Sequence, residues 1–287
     1  MNGPLAGQRI LVTGASRGIG REVALRLSRD GADLVVVSRN REGLDELLRC
    51  LEPGNHAVAA FDVRDSSAWH HAIDTIAPDG DITGVVTAAA IVTPIGLVGT
   101  WDVAEFRQTL DVNVVGTLLA VESTIDQLVA NNGAVVAFSG GGATGPFPRY
   151  DAYAASKAAV VRLVENLAVA LAPDGVRVNC VAPGFVLTDM HQSTLAAGGE
   201  LAGEEYFDRT ARAIETGEGD SPALAADLVS FLVSRSSTPI TGKLISARWD
   251  PWKDEHFRAR LAQDSDFCTL RRIDAQLFDR VDTDAAS

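Results

Sequence analysis

Short, nearly continuous apolar runs alternate along this chain with longer segments whose apolar residues recur every three or four positions. The short runs predict strands at 9–13, 33–38, 57–61, 84–88, 134–139, 177–181 and 243–246. Such runs predict burial on both faces, as in a parallel sheet. The longer segments predict helices at 20–30, 105–130 and 153–171. This β-α-β-α order predicts an α/β fold built on a doubly wound parallel sheet of about seven strands, with helices on both faces.

Two segments interrupt the alternation and predict additions to one domain spanning 1–247. Residues 185–220 are rich in Gly and Glu, and long connections of this kind are usually lids, so a helical lid is expected there. Residues 248–287 predict a partly helical C-terminal extension. In it Leu270, Ile273, Leu277 and Val281 recur at helical spacing and predict a stripe that must be buried.

The net charge and the number and spacing of cysteines limit the classes of binding partner that this protein is expected to have. The 287 residues include 38 acidic and 25 basic ones, for a formal net charge of −13. Nucleic acid and membrane lipid are not expected as partners, because binding them requires clustered Lys and Arg. The three cysteines are far apart, which predicts neither a disulfide framework nor a metal site. The first residues lack the cationic end and apolar block of a secretory signal peptide, so a cytoplasmic location is expected.

A glycine-rich turn follows the first predicted strand and leads into a helix. Its sequence, Thr-Gly-Ala-Ser-Arg-Gly-Ile-Gly, carries glycines at 14, 18 and 20. Glycines there let the backbone approach a pyrophosphate, which then lies at the positive end of the helix dipole. The turn predicts a dinucleotide site, although its spacing differs from the common G-x-G-x-x-G.

The end of the second strand indicates which dinucleotide binds. NAD sites usually place an acid there, whereas this chain continues Ser38-Arg39-Asn40. Arg39 and Arg17 could hold a 2′-phosphate from two sides through charge-assisted hydrogen bonds, so NADP is predicted over NAD. The alternative is that both are solvated surface arginines.

A tyrosine and a lysine lie four residues apart, at Tyr153 and Lys157, and therefore on one face of a predicted helix. A nearby cation stabilises a phenolate and lowers the pKa of the phenol, so the pair could exchange a proton. Only three of the 25 basic residues are lysines, which makes a lysine at this position informative.

Together these motifs resemble the classical short-chain dehydrogenases/reductases over about residues 8–246. The resemblance is carried by Thr-Gly-x-x-x-Gly-x-Gly at 13–20, Asp62-Val63, Asn113, Ser139, Tyr-Ala-Ala-Ser-Lys at 153–157, and Pro183-Gly184 followed by Thr188. It implies a Rossmann-type fold and a homodimer or homotetramer.

The resemblance also implies residue roles. Tyr153 would protonate a carbonyl oxygen, Ser139 would hydrogen-bond that oxygen, and Lys157 would bind the nicotinamide ribose and lower the Tyr153 pKa. Asn113 would anchor a water in a proton path, Asp62 would contact the adenine, and Thr188 the nicotinamide carboxamide. The implied cofactor-binding positions are Gly14, Ser16, Arg17, Gly18, Ile19, Gly20, Ser38, Arg39, Asp62, Val63, Ala89, Tyr153, Lys157, Pro183, Gly184, Val186 and Thr188.

Three departures from the family pattern stand out. Thr87-Ala-Ala-Ala90 replaces the usual Asn-Asn-Ala-Gly, and an atypical end begins near Ser246. Ser139 lies 14 residues before Tyr153, one more than usual, so Gly140 is the alternative occupant of the serine position. Ser139 is preferred because its spacing to Gly145 is the usual one.

The function predicted is NADP(H)-dependent hydride transfer between nicotinamide and a carbonyl or secondary alcohol of a small ketone, sugar or secondary metabolite. Residues 185–220 carry a net charge of −6, from eight acidic and two basic side chains, which disfavours polyanions such as an acyl carrier protein. A 3-oxoacyl-type reductase of the same family is therefore the alternative enzyme. An NADP-binding regulatory protein with impaired catalysis is the alternative of another class, and sugar-nucleotide epimerases are disfavoured because their Gly-x-x-Gly-x-x-Gly motif is missing. The sequence predicts neither the individual substrate, the physiological direction nor the role of the extension.

Overall fold

A seven-stranded parallel sheet organises the computed structural model, which describes residues 3–272. Its strands are β1 (Arg9–Thr13), β2 (Asp33–Ser38), β3 (Ala57–Ala60), β4 (Ile82–Thr87), β5 (Ala134–Phe138), β6 (Arg177–Ala182) and β7 (Leu244–Ser246). Their order is β3-β2-β1-β4-β5-β6-β7, and every neighbouring pair is parallel. The predicted doubly wound sheet is confirmed. The order reverses between β1 and β4, where ligand crevices form in folds of this type.

Helices cover both faces of the sheet. They are α1 (Gly18–Arg29), α2 (Arg41–Leu48), α3 (Ser66–Ile76), α4 (Val103–Leu110), α5 (Gly116–Glu122), α6 (Ile125–Ala130), α7 (Asp151–Leu171), α8 (Asp189–Ala202), α9 (Glu204–Thr216), α10 (Pro222–Val233) and α11 (Glu255–Gln263).

Two apolar layers sandwich the sheet because successive strand residues point to opposite faces. In β1, Ile10 and Val12 join the layer formed with α1, α2 and α10, whereas Leu11 joins the layer formed with α3, α5, α6 and α7. Both layers are fully buried along the central strands, as the continuous apolar runs predict.

The predicted helix at 105–130 is interrupted. A π-helical turn spans Asp111–Val115 between α4 and α5, and α6 begins only at Ile125. Single π-turns often occur at functional sites, and this one carries Asn113. Such a turn shifts the apolar pattern by only one residue, so the sequence still predicts one continuous helix.

The segment predicted as a lid forms α8 and α9, and its two ends are tied together. The Phe185 N–H donates to the Asp220 carboxylate at 2.7 Å, and the Asp220 N–H donates to the Phe185 carbonyl at 2.9 Å. Arg248, which begins the C-terminal extension, pairs with the other Asp220 carboxylate oxygen at 3.1 Å.

The C-terminal extension packs against the sheet domain. Trp252 and Leu261 are buried in the layer that contains α1 and α10. The buried Lys243 ammonium donates to the carbonyls of Asp264 and Phe267, and the Leu270 N–H donates to Glu165 of α7. Of the predicted stripe, Ile273, Leu277 and Val281 lie outside the described residues.

Within residues 3–272, no helix has the length and apolar character needed to cross a membrane.

Candidate active site

A groove of about 280 Å³ opens at the carboxyl ends of β1, β2 and β4, where the strand order reverses. Twelve of the predicted cofactor positions line it: Gly14, Ser16, Arg17, Gly18, Ile19, Gly20, Ser38, Arg39, Asp62, Val63, Ala89 and Thr188. The other five, Tyr153, Lys157, Pro183, Gly184 and Val186, do not line this groove.

The glycine-rich turn forms the floor of the groove through close backbone packing. Gly14 has a φ of +65°, and a Cβ there would lie 2.8 Å from the Ala89 nitrogen. A Cβ on Gly20 would overlap the Gly14 carbonyl. No side chain caps α1 at Arg17, so the N–H groups of its first turn are available to a ligand. These features fit the pyrophosphate of a dinucleotide.

The end of β2 presents hydroxyls and arginines to the groove. The hydroxyls of Ser16 and Ser38 lie 2.8 Å apart. Arg17 pairs with Asp189 of α8 at 2.9 Å, and Arg39 lies 3.7 Å from the Asp62 carboxylate. The two arginine side chains are 69% and 60% exposed, so both pairs are weak and can exchange for another anion.

Asp62 is held ionised at the groove by Arg64, which sequence analysis missed. The Arg64 guanidinium donates to both Asp62 carboxylate oxygens, at 3.0 and 2.8 Å. The main-chain N–H of Arg64 donates to the same carboxylate. These hydrogen bonds hold the pKa of Asp62 below its ordinary value. An acid two residues before an arginine could have indicated this pair.

The unusual Thr87-Ala-Ala-Ala90 segment is braced from a neighbouring strand. The Thr13 hydroxyl accepts hydrogen bonds from the N–H groups of Ala88 and Ala89, both at 3.1 Å. The loop therefore keeps its position beside Gly14 without the asparagine and glycine usual in the family.

Asn113 braces the next part of the same loop. Its amide oxygen accepts from the Ile91 N–H at 2.9 Å, and its amide nitrogen donates to the Ile91 carbonyl and to the Ser156 hydroxyl of α7. The Thr117 hydroxyl donates to the Asn113 main-chain carbonyl. The side chain thus joins the loop after β4 to the helix that carries Tyr153. Its predicted role in a proton path stays a prediction.

Lys157 lies on α7, and its side chain points to the end of β5 and does not line the groove. Its ammonium donates to the Phe138 carbonyl at 3.0 Å and lies 5.6 Å from the centre of the Tyr153 ring. Burial disfavours the charged form and lowers the pKa of Lys157 to about 8.

Tyr153 is also buried, and its hydroxyl lies against Gly140. A Cβ on Gly140 would overlap that hydroxyl oxygen. Burial raises the pKa of the Tyr153 phenol above its ordinary value. The lowering of this pKa by Lys157, which the family resemblance implies, stays a prediction.

Gly140, the alternative that the sequence spacing left open, thus lies beside the phenol, and this contact does not decide between Gly140 and Ser139 for the serine position. Ser139 is buried and directly follows β5. The assignment of Ser139 as a hydrogen-bond donor to the substrate stays a prediction.

The lid begins at the far side of the groove. Thr188 caps α8 in a reciprocal arrangement with His191, whose imidazole accepts the Thr188 N–H at 3.3 Å. A Cβ on Gly18 would lie 3.3 Å from the Thr188 methyl group. The lid and the glycine-rich turn are thus in close contact.

Three predicted cofactor positions come just before Thr188 and form the base of the lid. They are Pro183, Gly184 and Val186. Gly184 has a φ of +89°, and a Cβ there would overlap the Asp220 carboxylate. Val186 is buried.

Several groove residues were not predicted from the sequence. They are Phe61, Ala88, Ala90, Ile91, Val92, Thr93, Val112, Asp189, Met190 and Ser193. Those after β4 could have been found from the rule that loops at the switch point bind the ligand. Those on α8 depend on how the lid folds back over the sheet.

Comparison with known proteins identifies the family. A protein-family model described as enoyl-(acyl carrier protein) reductase matches residues 14–247. The chain belongs to the short-chain dehydrogenase/reductase family. It is an oxidoreductase with a nicotinamide cofactor.

Named relatives of this short-chain dehydrogenase/reductase differ in what they act on. The chain is 32% identical to dehydrogenase/reductase SDR family member 4 of Sus scrofa over 246 residues, covering 84% of this chain and 86% of that protein. It is 30% identical to glucose 1-dehydrogenase of Gluconobacter oxydans (strain 621H), covering 84% and 90%. Carveol dehydrogenase from Mycobacterium avium, solved in complex with NAD, superposes with a TM-score of 0.75 at 25% identity, covering 85% and 97%.

Proposed function

We propose that this short-chain dehydrogenase/reductase uses NADP(H) to interconvert a carbonyl and a secondary alcohol in a small, neutral organic molecule. Arg39 at the rim of the groove, directly after Ser38 of β2, is the observation that carries the cofactor preference. No acid ends β2, and an acid there is what an NAD site uses to hold the ribose hydroxyls.

The ion pairs of Arg17 and Arg39 are compatible with binding of a 2′-phosphate. Asp189 and Asp62 each hold one arginine at the groove, at 2.9 and 3.7 Å. Because these pairs are largely exposed, a doubly charged phosphate can displace the carboxylates at small cost.

The nicotinamide of the cofactor supplies or accepts the hydride when it is bound. The residues proposed to hold the dinucleotide are the twelve predicted positions that line the groove. Tyr153 is protonated at neutral pH because burial raises its pKa, so it is in the form that donates a proton to a carbonyl oxygen. Lys157 keeps a positive charge next to the phenol below a pH of about 8.

Ser139 and Gly140 have different proposed roles beside the substrate oxygen. A Ser139 hydroxyl would add a second donor to that oxygen, as the family resemblance implies. Gly140 gives the Tyr153 hydroxyl its space. Asn113 is proposed as a positioning residue, because its side chain holds the loop after β4 against α7.

The charge of the lid supports a neutral substrate. Eight acidic and two basic residues lie between 185 and 220, so a polyanion approaching the groove would be repelled, within the screening limit of about 8 Å. This observation disfavours the alternative 3-oxoacyl-type reductase, whose substrate is carried on an acidic protein.

Initial rates with a panel of ketones, aldehydes and keto-sugars test the proposal, each measured with NADPH and with NADH. We expect turnover with NADPH and a higher kcat/KM for NADPH than for NADH. Rapid turnover of a ketoacyl carrier protein would contradict the neutral-substrate part, and a preference for NADH would contradict the cofactor part.

A catalytically impaired NADP-binding protein is the second candidate. It is favoured by the Lys157 ammonium, which is bound to the Phe138 carbonyl, and by the glycine beside the Tyr153 hydroxyl. NADPH fluorescence that changes on binding, with no oxidation by any member of the panel, would support this candidate against the enzyme.

A further inference from the structure

Tyr153 belongs to an apolar cluster that continues from the groove into the lid. We call this the aromatic cluster and define it as Val92, Phe147, Tyr150, Tyr153, Met190 and Tyr206. Val92 and Met190 also line the groove, so the cluster begins where the groove ends. A substrate that enters from the groove and brings its oxygen to the Tyr153 hydroxyl would therefore meet this cluster first at Val92 and Met190.

The aromatic rings of the cluster pack in one stacked pair and two edge-on contacts. Phe147 and Tyr150 stack with their centres 4.3 Å apart and their planes 6° from parallel. Tyr206, from α9 of the lid, meets both rings edge-on at 5.0 and 5.3 Å. Flat or puckered hydrocarbon rings pack well against such surfaces, in stacked or edge-on contacts.

Three polar groups in or beside the cluster already have partners. The Tyr150 hydroxyl donates to the Thr194 hydroxyl at 3.0 Å, and the Arg149 guanidinium donates to the carbonyls of Glu200 and Leu201. The Asn113 amide is used by Ile91 and Ser156. The cluster itself contains no acidic, basic or amide side chain.

We infer that the substrate carries its carbonyl or alcohol on an apolar alicyclic or aromatic ring, with no further hydroxyl or charged group near the reacting carbon. This inference rests on the proposed function and goes beyond it, because it excludes sugars. A sugar would bury its further hydroxyls among side chains whose only oxygen atoms are the three phenol hydroxyls. Each unpaired hydroxyl lowers affinity by roughly fivefold or more.

The reaction balances for such a substrate. In the oxidative direction the carbinol carbon gives a hydride to NADP⁺ and its hydroxyl gives a proton to the solvent through the site. The products are the ketone, NADPH and a proton. The reductive direction consumes NADPH and a proton that Tyr153 delivers to the oxygen.

A matched pair of alcohols tests the inference, namely cyclohexanol and inositol, which is the same ring with a hydroxyl on every carbon. With NADP⁺ and the full-length enzyme, we expect kcat/KM for cyclohexanol to exceed that for inositol by at least about 10³-fold. Equal values, or faster oxidation of inositol, would overturn the substrate class while leaving the proposed function standing.

Binding without turnover separates the two proposals. Cyclohexanone and inositol are titrated by calorimetry into the Tyr153→Phe protein saturated with NADP⁺. Binding of the ketone but not of the polyol supports the substrate class, even if the wild-type enzyme turns over neither alcohol and the proposed function fails. Binding of inositol alone, equal binding of both, or binding of neither overturns it.

A polar substitution in the cluster gives a second comparison. Tyr206→Asn places an amide beside the substrate, so we expect the cyclohexanol-to-inositol ratio to fall at least tenfold, while Val169→Asn, at an exposed apolar position of α7, leaves the ratio unchanged. An unchanged ratio in Tyr206→Asn would overturn the assignment of the cluster as the substrate surface.

Discussion

The two ends of the site differ in exposure and in how their charges are balanced. At the phosphate end, Arg17 and Arg39 lie largely in solvent and pair loosely with carboxylates. At the chemical end, Tyr153 and Lys157 are buried, and the lysine ammonium is held by a main-chain carbonyl.

This difference assigns separate tasks to the two ends. Exposed arginines change partners at small cost, which suits reversible binding of an anion. Buried titratable groups have shifted pKa values, which suits proton transfer but makes the geometry sensitive to single atoms. Substitutions at the chemical end should therefore affect turnover, and substitutions at the phosphate end should affect cofactor affinity.

Replacing the phenol should have the largest effect. We expect Tyr153→Phe to lower kcat at least about 10³-fold, because the proton donor is removed, with NADPH affinity close to that of the wild type. Initial rates and NADPH fluorescence titration measure the two quantities. Tyr150→Phe is the control, because it loses only the hydrogen bond to Thr194 and should keep most of the turnover. Near-normal rates in Tyr153→Phe would contradict the assignment of Tyr153 as the proton donor.

The contact beneath the phenol should have the next largest effect. Gly140→Ala puts a methyl group where the Tyr153 hydroxyl lies, and displacing a reacting group by about 1 Å can cost about 10²-fold in kcat. We expect a smaller loss from Ser139→Ala. A larger loss in Ser139→Ala than in Gly140→Ala would show that the serine hydroxyl bonds the substrate oxygen.

At the phosphate end, Arg39→Ala should raise the Kd for NADPH about 10- to 100-fold, the worth of a charge-assisted hydrogen bond, without changing kcat or the Kd for NADH. Arg41→Ala is the matched control, because Arg41 is exposed, pairs with Asp45 and does not line the groove. Parallel losses for NADPH and NADH in Arg39→Ala would contradict the 2′-phosphate role.

The buried lysine predicts a pH dependence for the chemical end alone. Burial lowers the Lys157 pKa to about 8, so its charge is present below that pH and lost above it, whereas burial raises the pKa of the Tyr153 phenol above its ordinary value. Reduction rates should fall above about pH 8 and approach a tenfold loss for each pH unit. Lys157→Met should lower the rate and remove this inflection. A wild-type reduction rate that does not change up to high pH would contradict the loss of charge on Lys157 as the cause.

The lid base joins the two ends and should give the smallest effect. Arg248→Gln removes the partially exposed contact to Asp220, so we expect a severalfold rise in KM with kcat nearly unchanged. Arg260→Gln, which breaks a similar pair with Asp264 in α11, should leave both constants unchanged. Equal effects of the two variants would mean that the extension does not act through the lid.

Sequence analysis predicted the sheet better than the site. All seven strands, and the loop that follows β1, were expected close to where they lie, because burial on both faces leaves a continuous apolar run in the local sequence. The glycine-rich turn, the two arginines and the family resemblance together supplied the twelve groove positions. The interruption at Asp111–Val115 was not predicted, because a π-turn leaves no compositional mark.

The chemical end depended on contacts between distant segments. The Lys157 contact with Phe138 and the Tyr153 contact with Gly140 join α7 to the end of β5, and neither leaves a local pattern. The spacing between Ser139 and Tyr153 therefore left two positions open.

The sequence by itself determined the order of strands and helices, the glycine-rich turn, the absence of an acid after β2, and the pairing of Tyr153 with Lys157 on one helical face. Each of these is a property of neighbouring residues. Only the tertiary structure decided that the tyrosine lies within an aromatic cluster drawn from the loop after β4, the segment after β5 and the lid. The physical reason is that burial, pKa and shape depend on which distant side chains pack together, and local periodicity does not specify this.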